Sequence, residues 1–338
     1  MSATAAHGDE NLEVVPLRHY GRWLGVFFVA LAVAMVVHTL WSKLPDPTGR
    51  TVCRTVDGVK SCHPALVWRF GWDVVHQYFF SHLIFAGLWL TLQITFFSML
   101  IGIALGIVVA VMRLSPNRVL SGTAWTYTWF LRGTPVIVQL FFWYFLHLLY
   151  PQLSLGIPFF HVTFLNINTS SVFSALNAAI LGLGLNEAAY MSEIVRSGLI
   201  SVDEGQIEAA TSIGMTRSQT MRMVILPQAM RVIIPPTGNE VISMLKTSSL
   251  ASFVTVQELF FVQGEISGAN LEIMQLLIVA SLWYILVTTV LSVGQFYVER
   301  HYAKGALRTL PPTPTQRIRH DLKGVWDKAR ARRGAALS

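Results

Sequence analysis

Charged and polar side chains sit inside stretches of this chain that are otherwise oily, and they are the first candidates for chemistry. Lys246 falls about ten residues into one apolar run, close to its middle at about 1.5 Å of rise per residue, with Ser248 and Ser249 just after it. Asn239 and Glu240 open the same run, and Asn186, Glu187 and Tyr190 close another. Ionisable groups in such surroundings are costly, so they either line a path for polar cargo or neutralise one another. Lys246 can pair with Glu187 or Glu240, or these groups can face a shared cavity; the residues leave both open. No catalytic constellation accompanies them. His38 and His147 stand apart from any serine, acid or metal-ligand partner, and there is no G-x-x-x-x-G-K-[ST] phosphate loop.

A second group of residues is polar and built to stay in water. In "GQIEAATSIGMTRSQTMRMVILPQA", Gly205 to Ala229, Asp203 is placed to cap a helix through "EGQIEAATSI", with the early acids favoured by the helix dipole. Gly214 suits the helix C-terminus and lets the chain reverse. A second helix then starts at Ser218 and is expected to stop at Pro227. Just upstream, Glu193 and Arg196 are three apart on one helical face. They either pair with each other or link to this loop.

The elements that hold these groups are membrane helices. The 338 residues are 53% hydrophobic and 13% charged, with a mean hydropathy of +0.52. Windows of about 20 residues give six candidate spans: Trp23 to Trp41, Leu83 to Met112, Ala124 to Tyr150, Ser171 to Tyr190, Pro236 to Val256 and Leu271 to Tyr297. Arg132, Gly133 and Pro135 interrupt the third; Arg132 there either snorkels to the interface or serves the cargo path. Gly102, Gly106 and Ala110 form a small-residue face on the second span, for a neighbouring helix or a second subunit.

With the N-terminus inside, cytoplasmic segments hold Arg18, Arg22, Arg113, Arg118, Arg196, Arg217, Arg222, Arg231 and the basic tail from Arg300 to Arg333. That is the positive-inside pattern, so the net charge of +7 is a topology signal and not a nucleic-acid footprint. The first span is expected to be an uncleaved anchor, the alternative being a secretory signal. The tail carries Ile318, Leu322, Val325 and Trp326 near helical spacing among basic residues, which suits a helix on anionic lipid or a disordered tail.

The two cysteines flank an Asp57-Gly58 turn in the first outside loop, "TVCRTVDGVKSCHP". A hairpin centred there puts Cys53 opposite Cys62 in a non-hydrogen-bonded pair, with Cα atoms about 4.5 Å apart, inside the disulfide range. A disulfide is expected, with free thiols as the alternative; a metal site lacks further ligands.

Glu208-Ala209-Ala210, Gly214, Val224 and Leu226-Pro227, opened by Gly205, resemble the signature loop of the membrane subunits of ABC importers, with Val224 where that family usually has Ile. "RGTPVIVQL", "NEAAYMSEIVRSG", "ILPQAMR" and "NEVISMLKTSSL" are similar to the polar amino-acid uptake subfamily, over about Phe85 to Tyr297. The resemblance implies an all-α integral membrane protein with the type I importer permease fold: a five-helix core, here with an extra N-terminal helix, and a cytoplasmic coupling-helix loop. It implies that Glu208 faces a separate ATPase, which binds the ATP and magnesium; no cofactor is expected in this chain. The implied partners are two ATPase subunits, an outside solute-binding protein, a second permease subunit, membrane lipid and an amino-acid substrate. Such a substrate carries both a carboxylate and an ammonium, matching a Lys and a Glu in one cavity.

The expected layout is a cytoplasmic segment 1–22, an extra helix 23–41, an outside loop 42–82, the permease core 83–297 and a basic cytoplasmic tail 298–338, in a bacterial plasma membrane. The rival readings are an ion-coupled secondary transporter, an intramembrane enzyme and a channel. The first lacks a visible internal repeat and the second a reacting constellation; the third leaves the signature loop unexplained.

Overall fold

The computed structural model describes residues 20–45, 51–56, 59–64, 66–68, 70–157 and 162–302, with side chains outside the description at 20–25, 44–45, 51–56, 59–64, 66–68, 153–157 and 162–166. The expected cytoplasmic N-terminus and the amphipathic tail around Trp326 lie outside the described residues. The chain divides into two compact units, 1–76 and 77–338, each taken by itself.

In the first unit, helix α1 (Tyr20–Trp41) covers the expected first span and has no acid in its first turn. Strand β1 (Lys43–Pro45) pairs antiparallel with β4 (Leu66–Trp68), and β2 (Thr51–Val56) pairs with β3 (Val59–Pro64). The inner hairpin has the register that the Asp57-Gly58 turn dictates, Val56 opposite Val59 and Cys53 opposite Cys62. No disulfide is shown, since both cysteine side chains lie outside those described. The Trp72 indole, where α2 (Trp72–Phe79) begins, donates to the Leu40 carbonyl at 2.7 Å, and its ring lies 5.5 Å from Trp41.

The second unit is helical apart from one hairpin. Helix α3 (His82–Arg113) starts on Ser81, whose hydroxyl accepts from Ile84 N–H, and its 32 residues match the expected second span. Next come α4 (Arg118–Gly133) and α5 (Val136–Leu149), then the hairpin β5 (Gln152–Ile157) and β6 (Val162–Asn168), which the sequence reading missed. After the short turn α6 (Thr169–Val172) runs α7 (Ala175–Ile200), half of whose residues are buried. Helices α8 (Glu204–Ser212) and α9 (Arg217–Thr220), a π turn at Met221–Ile225 and α10 (Leu226–Thr247) follow. A 3-10 segment, Ser248–Val254, leads to α11 (Leu259–Asn270) and α12 (Ile273–Tyr302).

The small-residue face of α3 settles on α7 of the same chain. A Cβ on Gly102 would lie 2.5 Å from Glu187 Cγ, and one on Gly106 would lie 2.5 Å from Met191 Cβ. Gly184 faces back at Ile101 in the same way, at 2.9 Å. The two backbones approach that closely only because these positions carry no side chain.

Several expected boundaries are corrected. The third span is two helices bent by 105° at Thr134-Pro135. Pro135 pushes the residue before it out of the helical region, and Thr134 is extended at φ −113°, ψ 145°. The helix over the expected fourth span runs ten residues past Tyr190, to Ile200. Pro227 does not stop the second loop helix. The preceding π turn widens the coil, with Leu226 N–H donating to Met221 O, so the proline ring enters the first turn of α10 where no donor is required. The helix over the expected fifth span therefore begins at Leu226 instead of Pro236 and ends at Thr247.

Among the described residues, only α3 and α12 are long and apolar enough to cross a membrane by length and composition, or three spans if the bent α4–α5 pair is one. Val26–Trp41 is a shorter apolar helix. Asn177, Asn186 and Glu187 dilute α7, and Arg231, Glu240 and Lys246 dilute α10, so the expected six spans are not established.

Candidate functional site

The loop at residues 203–227 is assembled by local chemistry. The Asp203 carboxylate accepts from Gly205 N–H at 2.8 Å and starts α8 as expected. At the other end Gly214 has φ +81°, Met215 N–H donates to Ala210 O, and Gly214 N–H donates to Thr211 O. That is a Schellman closure, which a left-handed residue makes possible. The next helix starts one residue earlier than expected, because Thr216 and Gln219 form a reciprocal capping box. The T-x-x-Q spacing was visible in the sequence and was overlooked.

Between these fixed ends α8 turns one side inward and the other to solvent. Ala210 is buried, whereas Gly205, Glu208 and Ala209 are exposed. Ile213, at the loop's tip, is 79% exposed, and Met223 is 69% exposed. Leu226 and Pro227 sit apart from this helix, at the start of α10. The loop therefore presents an apolar tip, Ile213, and an exposed carboxylate, Glu208, between two capped ends.

The polar groups within the bundle separate into three clusters. The first fastens the α4–α5 bend. Gln139 donates to Leu131 O at 2.8 Å, Thr134 O at 3.2 Å and Thr134 Oγ1 at 2.7 Å, while Asn186 donates to Leu131 O at 2.9 Å and to Gln139 Oε1 at 3.2 Å. Asn186, a cargo-path candidate, is thus committed to the Leu131 carbonyl that the Pro135 break frees and to the Gln139 amide oxygen. Gly133 and Pro135 are exposed at the corner, with open space around Gly133. Arg132 lies over the Tyr190 ring at 5.1 Å, a cation–π contact that holds both candidates.

The second cluster is acidic. Glu187 is buried at 5% exposure, and its Oε1 has no hydrogen-bond partner among the described residues. Glu240 is half-buried and near enough for the two charges to interact, with Arg132 as the attractive counter-charge to Glu240. Lys246 does not pair with either acid: its side chain is exposed, and the ion pairs among the described residues lie elsewhere. Of the two readings left open, the Lys–Glu pair is not seen among the described residues. Lys246 sits in the last turn of α10, where the helix gives way to the 3-10 segment and its side chain clears the bundle. Ser248 and Ser249 donate to the Leu245 and Lys246 carbonyls at 2.7 Å each. Asn239 accepts from Gln295 at 3.0 Å, joining α10 to α12.

The third cluster lies near the C-terminal end of α7. Glu193 Oε2 is 2.7 Å from Arg196 Nη2, an i,i+3 pair and one of the two arrangements left open, and Oε1 is 3.5 Å from Arg113 Nη2 at the end of α3. Arg113 was not anticipated here, since only the fold brings α3 and α7 ends together.

Residues 102–304 match the family described as binding-protein-dependent transport system inner membrane component. The chain is 43% identical over 301 residues to the arginine transport system permease protein of Corynebacterium glutamicum, covering 88% of this chain and 85% of that protein. It is 37% identical over 230 residues to the L-cystine transport system permease protein of Bacillus subtilis, covering 68% and 90%. Among solved structures it is similar to a crystal structure of an amino acid ABC transporter with histidines, at 33% identity and a TM-score of 0.56, covering 65% of this chain and 94% of that one.

Proposed function

The chain belongs to the family of binding-protein-dependent transport system inner membrane components, and from that premise we propose that it carries a polar or charged amino acid inward, driven by separate ATPase subunits docked on residues 203–227. As a member of this family it is a membrane transport subunit of an ABC importer and not itself an enzyme. The similarity to permeases named for arginine and L-cystine supports an amino-acid cargo; it does not choose among them.

The observation that carries the proposal is the loop. Its two capped ends and left-handed Gly214 make a rigid handle, with Glu208 and Ile213 presented to solvent. ATP binding closes the ATPases, draws the handles of two permease subunits together and opens the cavity outward; hydrolysis lets it return. Inside the bundle, Glu187 and Glu240 are the groups free to meet a cargo ammonium, while Lys246 at the end of α10 suits its carboxylate. A secondary transporter is disfavoured by the family membership.

The orientation keeps both termini cytoplasmic, on the positive-inside pattern. A solute-binding protein then delivers cargo on the side of the Cys53/Cys62 hairpin, whose register supports a disulfide there. Intact mass with and without reductant tests the latter: a gain of two hydrogens on reduction supports it, and no change removes it.

The docking claim is tested by a Glu208→Cys variant bearing a short photo-crosslinker, in membranes containing the co-expressed ATPase. A crosslink to the ATPase, lost in Gly214→Val, is expected. A crosslink only to lipid or to the permease itself would remove the handle assignment.

A further inference from the structure

Helix α11 is bracketed by the two non-glycine residues in the left-handed region among those described, Thr255 (φ 64°) and Leu271 (φ 60°). A β-branched residue there is strained, and such strain persists only where the surroundings hold it. The end of the 3-10 segment holds it: Thr255 N–H donates to Ser252 O and Val256 N–H donates to Ala251 O. Three residues on stands a second constraint. Glu258 is 0% exposed, in a bundle where buried charge is expensive. Its Oε1 accepts from Phe261 N–H at 2.8 Å, capping α11; its Oε2 accepts from Thr91 Oγ1 of α3 and from Tyr284 OH of α12, both at 3.2 Å. The Thr91 hydroxyl shares its one proton between Glu258 and the Gly87 carbonyl, 3.0 Å away, and accepts from Leu259 N–H at 3.1 Å. One carboxylate thus ties α11 to two helices that flank it, with no cation among its partners.

Beneath this tie α11 lies flush on α3, since a Cβ on Gly87 would be 3.0 Å from Leu259 Cα. Along the rest of its length the two helices part into an open groove of about 720 Å³, lined by Tyr78, Trp89, Gln93, Gln257, Glu265 and Asn270. The chain leads from the loop to α11 through one helix. From the π turn, α10 runs 22 residues, about 33 Å at 1.5 Å each, with Pro235 and Pro236 inside it, then passes through the 3-10 segment into Thr255. Thr255 and Glu258 thus lie a full helix length from the loop.

We propose that α11 is a hinged cover at the end of the bundle remote from the loop, with Thr255 as its hinge and Glu258 as the positioning residue that holds it closed. Glu258 touches no cargo; it acts through α11. The inference rests on the importer reading above.

The test uses the complete complex of permease, ATPase and solute-binding protein in proteoliposomes, with Ser267→Cys as reporter. Ser267 is on α11 and buried at 6% exposure. Its rate of reaction with a membrane-impermeant maleimide, located by peptide mass, reads how often the cover opens. Tyr284→Phe removes one bond to the carboxylate and should raise the rate about tenfold, the worth of one charge-assisted hydrogen bond. Glu258→Ala should raise it further. Glu258→Gln keeps the cap and lets both hydroxyls reorient, so it should stay within about threefold of wild type. Thr255→Gly relieves the hinge only in the closed state and should lower the rate about tenfold.

Uptake-competent complexes in which Tyr284→Phe and Thr255→Gly leave the rate unchanged, or move it the same way, overturn the cover. Absence of ATP-driven uptake in the wild type overturns the importer reading itself, and the cover with it.

Discussion

Gly106→Ala tests the α3–α7 contact on which the bundle is built. The added Cβ would sit 2.5 Å from Met191 Cβ and 3.2 Å from Ala188 O. Carbon atoms rest at about 3.5–4.0 Å, so the helices must part by about 1 Å. Neither neighbour is the free end of a flexible side chain. Overpacking of this kind costs about 1–3 kcal/mol, against a gain of about 1 kcal/mol from replacing a helical glycine. The expected net loss is about 1–2 kcal/mol.

Gly122 in α4 supplies the control, since nothing lies within 4 Å of its added Cβ. Gly122→Ala should stabilise by about 0.5–1 kcal/mol, the propensity gain alone. The assay is unfolding of the isolated permease by SDS in mixed micelles, followed by tryptophan fluorescence. Gly102→Ala combined with Gly106→Ala should cost less than the sum of the two, because helices already parted accept the second methyl. If Gly106→Ala is as stable as Gly122→Ala, the close approach of α3 and α7 is wrong.

Three further outcomes follow from the polar clusters. Gln139→Leu strands the Thr134 carbonyl and removes a bond to Leu131 O, and should cost about 1–3 kcal/mol in the same titration, whereas Pro135→Ala, which restores a donor, should be nearly neutral. Gly214→Ala forces a side chain into φ +81° and should cost about 1–2 kcal/mol locally, read as faster amide exchange through 204–215. Arg113→Met and Glu193→Gln should couple by only about 0.5–1 kcal/mol in a double-mutant cycle, since both side chains keep 21% of their exposure and water screens the pair.

The loop was readable in advance because its determinants are local. Asp203 caps the residue two on, and Gly214 supplies its own left-handed turn. The Cys53/Cys62 register was readable for the same reason, from two residues at the turn between them. Misreadings came where a distant partner decides. Pro227 terminates a helix by local rule, yet the π turn ahead of it lets the helix continue. Asn186 sits within an apolar run, and only the fold brings its amide to the Leu131 carbonyl at the Pro135 bend. Helix α11 was invisible because its cap, Glu258, draws on Thr91 and Tyr284 from elsewhere in the chain, and its apolar residues show no strong helical face.

The most direct measurement is coupled ATP hydrolysis and uptake by the reconstituted complex, with its solute-binding protein and a panel of amino acids, for wild type and Glu208→Lys. Stimulation by a narrow set of amino acids, abolished in Glu208→Lys while the subunits still fold, is the expected result. Normal hydrolysis and uptake by Glu208→Lys would contradict coupling through this loop, and uptake with no ATPase bound would contradict the importer account as a whole.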